Sequence, residues 1–203
     1  MNKKVLTGCG IALGAFILLI IIIYGYFVGS YNNMVQMDED VKEKWGQVEN
    51  VYQRRFDLIP NLVETVRGYA SHERETFQMV TEARSRAAGT LELSEGLLDN
   101  PEMFQQFQQS QAQLSSALSR LMVVVEDYPD LKANQNFLAL QDQLEGTENR
   151  IAVERRRFNE SARNYNTYIR QFPRVFIANL YGFEQRPYFT ATEGADEAPQ
   201  VEF

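Results

Sequence analysis

The chain opens on an unbroken apolar run and then changes to a spaced one. From Val5 to Val28 no side chain is charged, and Ile11–Ile23 is almost wholly aliphatic. About twenty apolar residues at 1.5 Å each match the hydrocarbon core of a bilayer. A soluble helix needs one apolar face, so a run that is apolar on every side predicts a membrane span. Tyr24, Tyr26, Phe27 and Tyr31 gather at its C-terminal end. Rings with a polar tip favour the headgroup level, so this end reads as an interfacial belt.

Beyond the run the spacing is helical throughout. Met34, Val41 and Val48 recur at sevens, interleaved with Trp45, Tyr52 and Ile59. The stripe is continuous enough with the span to share its helix. Proline suits a helix's first turn better than its middle, so Pro60 predicts a break at Phe56–Pro60, with Asp57 capping a new helix. That second helix carries Leu62, Val66, Tyr69, Phe77, Val80 and Ala87 and ends near Ala88, before Gly89 and Thr90. Thr90–Asn100 reads as a connecting loop with a short turn at Leu97–Leu98. Asn100-Pro101-Glu102 is a helix start by cap, first-turn proline and acid. The third helix follows Phe104, Phe107, Gln111, Leu114, Leu118, Leu121, Val125 and Tyr128, and Pro129 stops it. The fourth begins near Leu131 and runs to about Gln171. Its Phe137, Leu144, Ile151, Phe158, Tyr165 and Phe172 fall at strict sevens, which predicts long, nearly parallel packing. A short apolar helix at Val175–Leu180 docks back, and Gly182 releases the chain into Phe183–Phe189.

The pattern predicts an all-α protein: an N-terminal transmembrane helix followed by a long antiparallel four-helix bundle, connected up-down-up-down. Residues 1–30 form a cytoplasmic stub and the span, 31–189 the bundle, and 190–203 an acidic, disordered tail.

Charge sets the orientation and narrows the partners. Lys3 and Lys4 precede the span, and the first charges after it are Asp38, Glu39 and Asp40. The positive-inside bias keeps the N-terminus in the cytoplasm and sends the helical domain across; Lys42 and Lys44 on the far side weaken that bias. A net charge of -7 argues against nucleic acid as a partner. A cleaved signal peptide fits less well, because the run is long and no small-x-small site follows it. Leu6-Thr7-Gly8-Cys9 resembles a lipobox, but it precedes the hydrophobic run instead of following it. Gly10, Gly14, Gly25 and Gly29 form two GxxxG pairs, which let two membrane helices approach closely and so raise self-association as a reading; glycine is also common in membrane helices generally.

Candidate chemistry is sparse. Cys9 is the only cysteine and His72 the only histidine. His72-Glu73 starts like a zinc-protease helix, but position 76 is Thr76 and no second histidine exists. No Ser–His triad elbow and no phosphate-binding glycine loop occur. No catalytic residue, metal or cofactor is assigned. Arg54, Arg55, Asp57, Glu64, Glu73 and Arg84 remain on the first two helices. They read as ion pairs inside the bundle, or else as a patch that receives a partner. Arg155-Arg156-Arg157 spans nearly a turn, so one of the three must turn toward a neighbouring helix, its stem packed and its head paired. Asn159-Glu160-Ser161 matches a glycosylation sequon but lies mid-helix and reads as coincidence.

The run Gln53-Arg54-Arg55-Phe56-Asp57-Leu58-Ile59-Pro60-Asn61-Leu62-Val63 resembles the signature of the LemA family of bacterial membrane proteins. Further landmarks follow in order: Tyr31-Asn32, Trp45, Tyr69-Ala70-Ser71-His72-Glu73, Ala83-Arg84, Tyr165-Asn166, Phe172-Pro173, Gly182-Phe183 and Pro187-Tyr188-Phe189. The resemblance covers residues 1–189 and leaves out the tail after Thr190. It implies one membrane helix, a long helical bundle and no established enzymatic activity. Within the signature, Pro60 starts a helix, Asp57 or Asn61 satisfies free amides and Arg55 pairs with an acid. Arg55, Asp57, Pro60, Asn61, Glu73 and Arg84 are therefore the structural or partner-facing motif. Two functions follow. One is a membrane-anchored scaffold or adaptor of the envelope, whose partners are the bilayer, other envelope proteins and further copies of itself. The other is an accessory subunit of an envelope protease or other membrane enzyme using carboxylates such as Glu64 or Glu73, or a sensor of membrane state.

Overall fold

A computed structural model describes residues 3–92 and 96–190, with side chains from Leu13 onward. Every regular element among them is helical: α1 (Lys3–Arg67), α2 (Arg74–Glu92), α3 (Pro101–Val125), α4 (Pro129–Lys132), α5 (Gln135–Arg170) and α6 (Arg174–Tyr181).

The 65-residue α1 joins the apolar run to the spaced stripe without interruption. At 1.5 Å per residue it is about 100 Å long. Its first half is long and apolar enough to cross a membrane, and its large side chains from Leu13 to Val28 are mostly exposed. Burial begins at Ser30 and becomes periodic at Met34, Val41, Trp45, Val48, Tyr52, Phe56 and Ile59.

The predicted break at Phe56–Pro60 does not occur. Pro60 lies inside α1, with its ring facing solvent. Its missing N–H would have bonded the carbonyl of Phe56, four residues back. Arg84 supplies the replacement from α2: its Nε donates to that carbonyl at 2.8 Å. Phe56, Ile59, Leu62 and Val63 are all buried around the proline, so packing holds the rod on both sides. The helix ends instead at Gly68-Tyr69, where Tyr69 and Ala70 N–H groups both bond the Val66 carbonyl.

Other boundaries move with it. α2 starts at Arg74 and runs past Gly89 and Thr90 to Glu92. Thr90 stays helical by donating its hydroxyl to the Ala87 carbonyl at 2.9 Å. α3 ends at Val125, short of Pro129, which opens the one-turn α4. The predicted fourth helix is divided there, because Asn134 turns out of α4 and caps α5 by accepting from the Phe137 N–H at 3.0 Å. The Leu97–Leu98 turn is present, with both leucines buried. The tail beyond Thr190 lies outside the described residues, and so do the surroundings of Gly10.

Side-chain pairs fix the directions of the long helices. Asp40 meets Ser161, Trp45 meets Phe158, and Arg55 meets Glu148. One number climbs as the other falls, so α1 and α5 are antiparallel. Thr90 with Ser110 and Met79 with Arg120 make α2 and α3 antiparallel. Phe56 with Arg84 and Arg67 with Phe77 do the same for α1 and α2.

Where α1, α3 and α5 meet, Trp45 packs on Phe104, Phe107 and Phe158 with ring centroids 5.5–5.8 Å apart. Phe189, from the extended segment after α6, completes the cluster at 4.9 Å from Phe104 and 5.5 Å from Phe158. Edge-to-face and tilted pairs of this kind add to the stabilisation from burial alone.

Candidate functional site

Two polar assemblies interrupt the apolar core. The first is the corner built by the signature run. Arg55 is only 2% exposed, turned into the helices by its place on the buried stripe of α1. Its Nη2 donates to Ser115 Oγ on α3 at 2.7 Å, and its Nε lies 2.8 Å from a Glu148 carboxylate oxygen on α5. Nε and Glu148 form an ion pair without the in-line geometry of a hydrogen bond. Burial pushes the Arg55 pKa down, and the charge of Glu148 opposes that shift. The guanidinium thus holds α1, α3 and α5 at one level, while Arg84 at the next turn ties α2 to the Phe56 carbonyl.

The other signature residues do different work from that expected of a helix start. Asp57 is exposed and accepts from Gln53 Nε2 at 3.0 Å along the same helix. The Asn61 carbonyl accepts from the Thr65 hydroxyl at 2.8 Å. Neither caps a helix, because none begins there. Glu73 stands at the entry of α2, its carbonyl taking the Phe77 N–H at 3.2 Å. Glu64 pairs with Arg67 on the surface at 2.6 Å. Arg55, Pro60 and Arg84 are therefore brought together, while Asp57, Asn61 and Glu73 lie apart from that lock.

The second assembly fastens residues 183–190 along α5. Asn166 accepts from the Arg186 N–H and donates to the Arg186 carbonyl, both at 2.8 Å. Asn159 does the same with the N–H and carbonyl of Phe189, both at 2.9 Å. Each asparagine side chain imitates a peptide group. The seven residues from Asn159 to Asn166 climb about 10.5 Å on a helix, and three extended residues span about 10 Å, so the two grips stay in register. Arg186 then reaches Asp38 of α1, with Nη2 at 2.5 Å and Nε at 2.9 Å, and also pairs with Asp99. Burial alone would lower the Arg186 pKa, but its bonds to Asp38 and Asp99 outweigh that and raise it. Tyr165 lies fully buried beside this pair with an unpartnered hydroxyl, and burial, helped by the Asp38 charge, pushes its pKa up to about 12.

Arg155 is the member of the arginine triplet that turns inward. Its guanidinium lies 4.5 Å from the Phe189 ring centroid and donates to the Thr190 carbonyl at 3.1 Å. The sequon residues are committed to structure as well: Asn159 grips Phe189, and Ser161 donates to Asp40 at 2.5 Å.

Sequence reasoning did not single out Asp38, Asp99, Ser115, Glu148, Asn159, Asn166 or Arg186 as site residues. Asn159 and Asn166 carried a signal, since each follows a buried heptad aromatic, Phe158 and Tyr165, by one position. Chemically, both assemblies pair their charges internally. An open groove of about 470 Å³ beside Tyr52, Arg55, Gln111, Ser115, Glu148 and Arg155 has a mixed lining, with Ile151 and Phe189 among its apolar members. Among the described residues no three His, Cys, Asp or Glu side chains converge as for a metal ion.

The chain is similar to magnetosome protein MamQ of Magnetospirillum gryphiswaldense, 29% identical over 84% of this chain and 70% of the relative. It is 28% identical to magnetosome protein MamQ 2 of Paramagnetospirillum magneticum, over 82% of this chain and 66% of the relative. Protein LemA of Metamycoplasma hominis is 25% identical over 88% of this chain and 77% of its own length. The LemA family pattern matches residues 44–203. That match starts after Tyr31-Asn32 and runs through the tail, which the sequence landmarks had left outside. It contains the corner built on Arg55, Pro60 and Arg84 and the segment gripped by Asn159 and Asn166, and on this match the chain belongs to the LemA family.

Proposed function

We propose that this protein is a non-enzymatic, membrane-anchored scaffold of the bacterial envelope that assembles with copies of itself through its span. Residues 1–30 anchor it in the inner membrane with the N-terminus in the cytoplasm. Residues 31–189 form a four-helix bundle outside, built from α1, α2, α3 and α5.

One observation carries the reading: a single helix is both the apolar span and the central element of the soluble part. A flexible tether would let the domain turn freely above the bilayer. A continuous helix fixes its height and rotation, which suits a protein that holds others in place. Three arginines support this: Arg55 and Arg84 tie helices together, and Arg186 ties the extended segment after α6 to α1. The GxxxG spacing of Gly25 and Gly29 supports self-association, and neither glycine is covered by its own chain, a methyl group added there meeting nothing within 4 Å. Their small sides are free for a second helix.

The test is the particle mass of full-length protein extracted in mild detergent, measured by light scattering. A defined multiple of the 23.4 kDa chain is expected, reduced by Gly25→Leu. A monomer in both forms would overturn the self-assembling scaffold.

A further inference from the structure

We propose that α6 is a second membrane contact: a foot lying in the headgroup layer beside the span, with Phe172, Phe176 and Leu180 entering the bilayer. The inference rests on the reading of residues 13–28 as a membrane span and adds a lipid-binding surface to it.

The helix Arg-Val-Phe-Ile-Ala-Asn-Leu-Tyr carries apolar side chains on both faces, with Arg174 half-buried and Asn179 exposed. Ile177 and Ala178 point inward and are buried. On the opposite side Phe176 is 65% exposed and Leu180 69%, one turn apart, and Phe172 just ahead of the helix is 81% exposed. Phe172 and Phe176 pack on each other edge to face at 5.8 Å, so the patch is continuous. A contiguous patch of large apolar side chains left exposed on a short helix marks a surface that meets lipid or protein.

Its position says what covers it. Tyr181 packs on Phe27 at 6.0 Å and on Tyr31 at 4.8 Å, and Phe183 on Tyr31 at 5.6 Å. Phe27 and Tyr31 bracket the end of the apolar run at Val28. The antiparallel register of α1 and α5 brings the end of α5 to the same level, so α6 sits where α1 leaves its apolar stretch. The exposed face of α6 thus continues the exposed surface of residues 13–28. Aromatic rings at this depth favour the boundary between headgroups and acyl chains, as do the apolar faces of interfacial helices. Two points of contact, span and foot, prevent the rod from swivelling about its own axis.

The test places an environment-sensitive fluorophore on single cysteines in the full chain carrying Cys9→Ser. The protein is reconstituted in vesicles of phosphatidylethanolamine and phosphatidylglycerol that contain a lipid with a nitroxide quencher, shallow in one series and at mid-acyl depth in a parallel one, which reads position 20. Phe176→Cys and Leu180→Cys report on the foot and Ile20→Cys on the span. Leu138→Cys, exposed at the start of α5 and about 50 Å farther along the rod, is the control in water. Labels at 176 and 180 are expected to emit blue-shifted light and to be quenched several-fold more than the label at 138. Quenching at 20 but none at 176 and 180 beyond the control would overturn the foot and leave the span intact. Blue-shifted but unquenched labels at 176 and 180 would mean that protein, such as a second copy, covers the face, which also overturns the proposal. Absence of quenching at 20 would remove the span, and the foot with it.

Discussion

Arg84 Nε donates to the carbonyl of Phe56 at 2.8 Å, and that carbonyl is the acceptor that Pro60 leaves without a partner. The signature proline and an arginine on the next helix are therefore two halves of one device. The proline opens a gap in the ladder of α1, and α2 fills it. Arg84→Met removes the donor and should cost about 1–3 kcal/mol, the penalty for an unsatisfied buried acceptor. In a Pro60→Ala background the restored N–H bonds Phe56 itself, so the same Arg84→Met change should cost much less. Denaturation of the full chain in detergent, followed through the buried Trp45, measures this cycle. Equal costs in both backgrounds would separate the two residues.

The strap depends on its two asparagine grips. Asn166→Ala deprives the Arg186 N–H and carbonyl of their partner and should cost about 1–3 kcal/mol. Hydrogen exchange should speed up at the Arg186 amide in Asn166→Ala and at the Phe189 amide in Asn159→Ala. Phe189→Ala empties a site between Trp45, Phe104 and Phe158 and should be the larger loss, about 3–5 kcal/mol. Unchanged exchange at 186 and 189 would show that the strap is held by other contacts.

Glu148→Ala strands the buried Arg55 guanidinium and should cost about 1–3 kcal/mol, since one partner of the pair is partly in water. Replacing both, with Arg55→Met added, should recover most of that loss, because the buried charge goes with its partner. Thermal unfolding of the two variants decides it, and a double variant weaker than Glu148→Ala would contradict the ion-pair account.

Tyr165 gives a pH dependence with a definite sign. Its folded-state pKa of about 12 lies above the ordinary phenol value, so folding favours the neutral form. Its contribution is complete below about pH 10 and is lost as the pH rises toward 12. Tyr165→Phe should therefore lose less stability than the parent across that window. At neutral pH it should be at least as stable, because the buried hydroxyl has no partner to lose. Parallel stability profiles from pH 9 to 12 would count against this (roughly the window set by the raised pKa).

Much of the architecture was legible in the residues. The stripe Met34, Val41, Trp45, Val48, Tyr52 and Ile59 and the sevens from Phe137 to Tyr165 name the buried faces of α1 and α5, because a core needs one face per helix; the last of those sevens, Phe172, lies past the end of α5 and is exposed. Asn100-Pro101 marked the start of α3, because a cap and a first-turn proline act locally. Pro60 misled for the opposite reason: its cost is local, but its compensation comes from Arg84, 24 residues along the sequence and on another helix. The sites followed the same division. Arg55 and Arg84 stood out through the signature run and the landmarks after it. Asp38, Asp99 and Arg186 did not, because their meeting depends on how the strap returns along α5 toward α1. The break at Asn134 escaped notice because the apolar stripe carries across it, while the cap that defines it is a single side chain.

The central claim is that one unbroken helix runs from the bilayer into the core of the soluble part. Pulsed electron spin resonance between labels at Ile20→Cys and Asn50→Cys, in the Cys9→Ser chain diluted with unlabelled protein in vesicles, tests it most directly. Thirty helical residues separate the sites by about 45 Å, and a continuous helix predicts one narrow distance distribution near that value. A broad distribution centred well below it would mean a hinge at the membrane surface, and the rigid-scaffold account would fail.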